Sequence, residues 1–163
     1  SFKPFNDIYG YGKGDEVLLG LAQILKELCD QDYDFVGHIG GDDFLLVLRT
    51  DEWRQQLADL DKRFSRLCTT LYRPEHVEAG GFDAPDREGH WRKHSLLNLS
   101  IGVLAVSAGA GETLDAAKLA DLASHNKHEA KKQKGFSIYL TEVGLTPTIE
   151  AMANLSGITS VSH

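Results

Sequence analysis

Residues 36–49 read VGHIGGDDFLLVLR. Two β-type apolar runs, Asp34–Ile39 and Phe44–Leu48, flank the tetrad Gly40-Gly41-Asp42-Asp43. Adjacent glycines between such runs predict a hairpin, because glycine supplies the positive φ of a tight strand connection at no steric cost. The turn also carries chemistry. Glycine lets backbone come close to a bulky ligand, and two carboxylates at a strand end suit a magnesium ion beside a triphosphate. By itself the same tetrad also reads as an ordinary acidic hairpin tip, so the surrounding chain has to decide.

The 163 residues are enough for one domain with a real core, and 42% apolar with 25% charged residues is the balance of a globular protein. A formal net charge of −7 argues against a nonspecific nucleic-acid binder, which needs a basic face for phosphates. A nucleotide pocket needs only a few local cations. No run is long enough to cross a bilayer, and no basic-then-apolar leader opens the chain. Cys29 and Cys68 fall in predicted helices without metal-ligand spacing, so buried, reduced thiols in a cytosolic protein are expected. His90 and His94, and His125 and His128, are spaced for metal capture, but neither pair has a thiol or third histidine to complete a zinc site.

Phe2–Gly14, with Pro4 and three glycines, reads as loop and turn. Asp15–Asp30 reads as a helix on Val17, Leu18, Leu21, Leu25 and Leu28, with Asp15 and Glu16 suited to its positive end and Asp15 by itself reading as a plain N-cap. Asp51–Tyr72 is a second helix on Trp53, Leu57, Leu60, Phe64, Leu67 and Leu71, a core stripe without chemistry. Arg73–His94 is polar and rich in Gly and Pro. It is either a β-hairpin turning at Gly80-Gly81 or Glu88-Gly89, or a mobile flap, and Arg87, Arg92 and Lys93 within it read as a solvated charged face. Ser95–Val106 is a strand bent near Gly102, Leu114–Gln133 a helix ending in a basic cluster, and Phe136–Leu140 a last strand. Thr141–His163 reads as a tail, weakly helical or disordered.

FKPFND, then GYGKGDEV, GGDDF and NLSIGV follow one another in an order that resembles the GGDEF family of diguanylate cyclases. The resemblance runs from Phe2 to about Leu140, so residues 1–140 are expected to be the domain and 141–163 the tail. It implies an α+β fold of the palm-like, ferredoxin-related, nucleotide-cyclase type, with helices packed on a mainly antiparallel sheet. It further implies that the family's first central strand, with its metal-binding Asp, precedes Ser1 and is absent here. A chain without that strand is expected to be inactive alone. The implied reaction joins two GTP molecules into cyclic di-GMP with release of two pyrophosphates, in a homodimer with two Mg²⁺ ions per active site. Asp42 is then the metal ligand and, with Asp43, the catalytic carboxylate pair. Gly40 and Gly41 admit the phosphates, Asn6 and Asp15 recognise guanine, and Lys3, Lys131 and Lys134 are phosphate-side cations. The wording of the motifs also resembles modules attached to EAL and CBS-pair domains.

Departures from the family pattern point to a rival reading, a degenerate GTP-binding domain that regulates an attached partner. Asp43 stands where the family has Glu, shorter by one methylene. The family's Lys-x-x-x-Arg clamp becomes Lys131 followed by Gly135, leaving Lys134 as a point charge and not a bidentate fork. Tyr11 replaces the usual His. The family's inhibitory Arg-x-x-Asp becomes Gln31-Asp32-Tyr33-Asp34; Asp34 stands, but Gln31 lacks the guanidinium's charged fork, so tight product inhibition is not expected.

Overall fold

The computed structural model describes residues 2–86, 88–107 and 115–143, and the backbone of 158–162. They fall into two compact units, Ser1–Asn98 and Leu99–His163.

The first unit opens with two helices, α1 (Phe2–Tyr9) and α2 (Tyr11–Leu28). This corrects the expected loop over Phe2–Gly14. Phe2, Phe5 and Tyr9 recur at helical spacing, and Phe5 is fully buried, stacked on Tyr9 at 4.8 Å and edge-on to Tyr72 at 5.1 Å. Pro4 is tolerated because the first helical turn has no use for its missing N–H. Gly10, at φ 84°, breaks the chain between the helices and serves as the N-cap of α2 without a side-chain hydrogen bond.

Helix α3 (Trp53–Leu71) follows its expected stripe. Leu57, Leu60, Phe64, Cys68 and Leu71 are buried, as are Val17, Leu21 and Leu25 of α2. The two helices approach closely at Gly20, where an added Cβ would lie 2.5 Å from Leu67 Cδ2. Both cysteines are unpaired. Burial pushes the Cys68 thiol up to about 12, which keeps it protonated and inert.

Between α2 and α3 stands the predicted hairpin, β1 (Phe35–Gly40) and β2 (Asp43–Val47), paired antiparallel. Phe35, Ile39, Leu45 and Val47 share one face and are exposed, so the hairpin is apolar on both sides, as in a sheet covered twice.

After a short helix, α4 (Pro74–Glu78), Arg73–His94 resolves into a second hairpin, β3 (Gly81–Pro85) with β4 (Trp91–Ser95). The turn is at Glu88-Gly89, with Gly89 at φ 84°, while Gly80, at φ 61°, closes α4. Tyr9 joins this region to α1, its hydroxyl contacting His76 Nδ1 and accepting from the Arg73 amide at 3.2 Å. Arg87, from the expected charged face, lies outside the described residues.

Asp86 organises that turn. Its Oδ1 accepts from the amides of Glu88 and His90, each at 2.9 Å, and its carboxylate pairs with Arg92. Partial burial opposes its charge, but the two amides and the guanidinium outweigh this and hold the carboxyl below its ordinary 3.8. The charge therefore stabilises the fold fully above pH 3.8, and that contribution is lost as pH falls through the lower folded value. Amide exchange at Glu88 and His90, measured against pH with the intrinsic rate divided out, is expected to lose protection only below that ordinary value, and Asp86→Asn to lose most of it at neutral pH.

The second unit is β5 (Ser100–Val106), α5 (Ala116–Lys131) and β6 (Ser137–Val143), with the backbone of β7 (Ile158–Ser162) beside β6. All pairings here are parallel, in the order β5-β6-β7. The expectation of one mainly antiparallel sheet is corrected accordingly: the described strands form two antiparallel hairpins and a separate parallel sheet, a mixed α+β arrangement. A helix between two strands returns the chain to the same end of the sheet, which makes the neighbours parallel. The last strand also runs past Leu140 to Val143, and Ile158–Ser162, expected in a weakly helical or disordered tail, is extended and paired. Leu114, the expected start of α5, lies outside the described residues; Asp115 caps the helix through Lys118 N at 2.7 Å.

Helix α5 is held to its strands by a buried polar relay. Asn126, with no exposed surface, donates to Val103 O at 2.7 Å and accepts from Thr141 Oγ1 at 3.0 Å. Ser137 Oγ donates to Ala130 O at 2.8 Å. Gly102 lets the helix come close, since a Cβ there would sit 2.3 Å from Lys127 N.

Candidate functional site

The hairpin tip is a two-residue turn, Gly41-Asp42, closed by the pair Gly40–Asp43 after a register shift between His38 and Gly40. Gly40 at φ 150° and Gly41 at φ 56° hold conformations that side chains disfavour, and a Cβ on either would meet nothing within 4 Å. Open space on both glycines means that no packing demand explains them; the backbone conformation does, and it leaves the tip bare. Asp42 is exposed at its apex, and Asp43 is half-buried at the start of β2. His38 fastens the turn from one face, stacking on Phe44 at 4.6 Å and bonding through Nε2 to Gly41 O at 2.9 Å. His38 is not among the candidates read from the sequence, although its place two residues before the first glycine of the tetrad is a usable signal.

The base of the hairpin is tied by Asp34. Its Oδ1 accepts from Arg49 N at 2.8 Å and its Oδ2 from Asp30 N at 3.0 Å, so both oxygens serve the junction of α2 with the hairpin. Gln31, its expected companion, is exposed.

Asn6 and Asp15 come from the two helices on either side of Gly10. Because α2 starts at Tyr11, Asp15 lies in the second turn and is exposed. It is not the N-cap, which is Gly10. Asn6 sits in α1 with Oδ1 buried and without a hydrogen-bond partner among the described residues. Lys3, one turn earlier, is exposed and pairs with Asp7 at 3.6 Å.

Lys131 ends α5 and Lys134 stands exposed in the following turn, both in the second unit. Gly135, expected at the position of the clamp's arginine, takes φ 80°, a left-handed turn conformation that disfavours a side chain. Of the histidine pairs, His94 packs its ring 6.0 Å from Phe82 and His125 sits edge-on to Tyr139 at 6.1 Å. Asp86, Glu88 and His90 bring ligand atoms within 4.8 Å of one another, but Asp86 is already committed to two amides and Arg92.

A bare glycine turn presenting a carboxylate, in a unit whose first two helices carry an amide and a second carboxylate, suits a nucleotide-handling domain. The family model described as diguanylate cyclase, GGDEF domain, matches residues 1–84. The chain belongs to the GGDEF family.

Relatives of this GGDEF chain agree. Diguanylate cyclase DgcM of Escherichia coli is 51% identical over 47 residues, 29% of this chain and 11% of its own length. Diguanylate cyclase DgcN of Escherichia coli is 30% identical over 134 residues, 82% of this chain and 28% of its own. The chain thus spans less than a third of either relative. The solved GGDEF domain of TpbB (YfiN) from Pseudomonas aeruginosa superposes with a TM-score of 0.51 at 24% identity, over 85% of this chain and 70% of that one, and shows the likeness of fold. No helix among the described residues is long and apolar enough to cross a membrane.

Proposed function

We propose that this domain carries out diguanylate cyclase chemistry in the cytoplasm, on two GTP molecules held by two facing copies. Each 3′-oxygen bonds to the α-phosphorus of the other nucleotide, and the bond to the β-phosphate oxygen breaks, giving cyclic di-GMP and two pyrophosphates. The observation that carries this reading is the hairpin tip: an exposed Asp42 preceded by two glycines in positive-φ conformations that disfavour side chains. Such a tip fits Mg²⁺, which takes one or two carboxylates and keeps its other positions for water and phosphate oxygens. Asp42 would hold the ion, which neutralises phosphate charge and acidifies the attacking hydroxyl when bound. Asp43 supports it from the strand start, and Lys3 supplies a phosphate-side charge from α1. Asp15 accepts from the guanine N1–H and N2–H₂ edge, and Asn6 completes the reading. Its place inside α2 favours this role for Asp15 over a helix cap. The reading requires the family's first strand, with its aspartate, in addition to the described residues. It also accommodates EAL and CBS-pair domains elsewhere in the same protein.

A specific observation favours the alternative, a GTP-binding regulator without turnover. Gly135, at φ 80°, stands where the clamp is expected to carry arginine, in a conformation that favours glycine. Conversion of GTP to cyclic di-GMP by the intact protein with Mg²⁺ separates the two: product establishes the cyclase, whereas micromolar GTP binding without product establishes the regulator. Added cyclic di-GMP should not inhibit tightly at this site, because Gln31 offers no guanidinium and each Asp34 oxygen already accepts from a backbone amide, of Asp30 or Arg49.

A further inference from the structure

We infer that Gly14 is a positioning residue for base recognition: its missing side chain forms the slot that takes Asn6 Oδ1 and so fixes which edge of the Asn6 amide meets a base. The inference rests on Asn6 and Asp15 reading guanine, as proposed above. Gly14 is buried in the first turns of α2, where a glycine costs stability relative to alanine. Neither a turn nor a positive φ requires it there. Space does. A Cβ at Gly14 would lie 2.0 Å from Asn6 Oδ1, 3.0 Å from its Cγ and 3.2 Å from Phe2 Cζ. The first distance is far inside contact, so a side chain at this position requires the Asn6 carboxamide, whose Oδ1 and Cγ both lie there, to turn away.

The chemistry of that placement is directional. The buried Oδ1 has no hydrogen-bond partner among the described residues. In a planar amide the oxygen and nitrogen point apart, so with Oδ1 in the slot the group left for a ligand is the Nδ2H₂ donor. Asp15, the next residue after Gly14, is acceptor-only when ionised. A donor beside a two-oxygen acceptor matches guanine, whose N1–H and N2–H₂ donors lie next to ring and carbonyl acceptors. Adenine offers no pair of adjacent donors to the carboxylate. Gly14 thereby contributes to selecting guanine over adenine without touching the base. Alanine at this position would expel the amide oxygen, turn Asn6 out of register with Asp15, and weaken GTP more than ATP.

The test compares Asn6→Ala, Gly14→Ala and the double variant in the intact protein, reading GTP and ATP affinities by calorimetry and the unfolding temperature. Gly14→Ala is expected to lower GTP affinity about tenfold, the loss of roughly one hydrogen bond, with ATP affinity unchanged. In the Asn6→Ala background the same change should cost no further GTP affinity and should raise the unfolding temperature, since the clash is gone and alanine suits a helix better. If Gly14→Ala does not fold but the double variant folds and binds GTP and ATP as Asn6→Ala does, the role stands; if neither folds, or the double variant loses further GTP affinity, it is overturned. Equal losses for GTP and ATP, or a GTP preference unchanged by Gly14→Ala while Asn6→Ala lowers it, would also overturn the role but leave Asn6 as a base reader. A GTP preference unmoved by Asn6→Ala would remove the reading of Asn6 and this inference with it.

Discussion

Asp42→Ala is expected to lower cyclic di-GMP synthesis by about 1,000-fold, the size of effect seen when one charge-stabilising group is removed at a reacting phosphate or carbonyl. GTP affinity should fall by no more than a few-fold, because base recognition by Asn6 and Asp15 is untouched. The folded structure should also be unaffected: Asp42 is exposed at the apex of a two-residue turn, and the turn is held by His38 and by the glycine conformations. Steady-state turnover and equilibrium GTP binding, measured on the same preparation, make the check. Synthesis surviving in Asp42→Ala would show that the metal is held elsewhere. A parallel collapse of GTP binding would instead show that the metal anchors the nucleotide, and kcat would no longer isolate chemistry.

The second large effect concerns stability. Asn126→Ala should destabilise the second unit by about 3 kcal/mol, as judged by denaturant unfolding, because it removes one partner from each of two buried bonds. Val103 O loses this donor, and the hydroxyl of Thr141, a residue only 7% exposed, loses its acceptor. An unmet buried polar group costs more than the bond it made was worth. Combining Asn126→Ala with Thr141→Val should therefore cost less than the sum of the two single changes, since the second removes the group that the first orphans. Strict additivity would show that the two side chains do not share a bond in solution.

Some of this architecture is written locally. The GGDD hairpin and helix α3 are both legible from periodicity, because each signal lies within one element: two apolar runs about adjacent glycines, and a stripe from Trp53 to Leu71. Helix α1 was equally local, yet the punctuation of Pro4 and three glycines outweighed the Phe2, Phe5, Tyr9 stripe. Length alone left the region 73–94 ambiguous, and a single Asp86 carboxylate, bonding two amides of its own turn, is what makes it a hairpin.

The candidate site divides along the same line. The sequence by itself determined the family, the carboxylates at the hairpin tip, the helix stripes and the presence of Gln31 and Gly135 where the resemblance leads one to expect arginine, since each is a matter of residue type at short spacing. Only the tertiary structure decided that Asp15 is inside a helix and not at its cap, that both Asp34 oxygens are consumed by the hairpin base, that Asn6 turns its oxygen onto Gly14, and that β5 and β6 run parallel with Asn126 between them. Periodicity fixes which face of an element is apolar but not which partner meets it. A bond such as Asn126 to Val103 joins residues 23 apart, and its donor and acceptor become neighbours only when helix and strand pack.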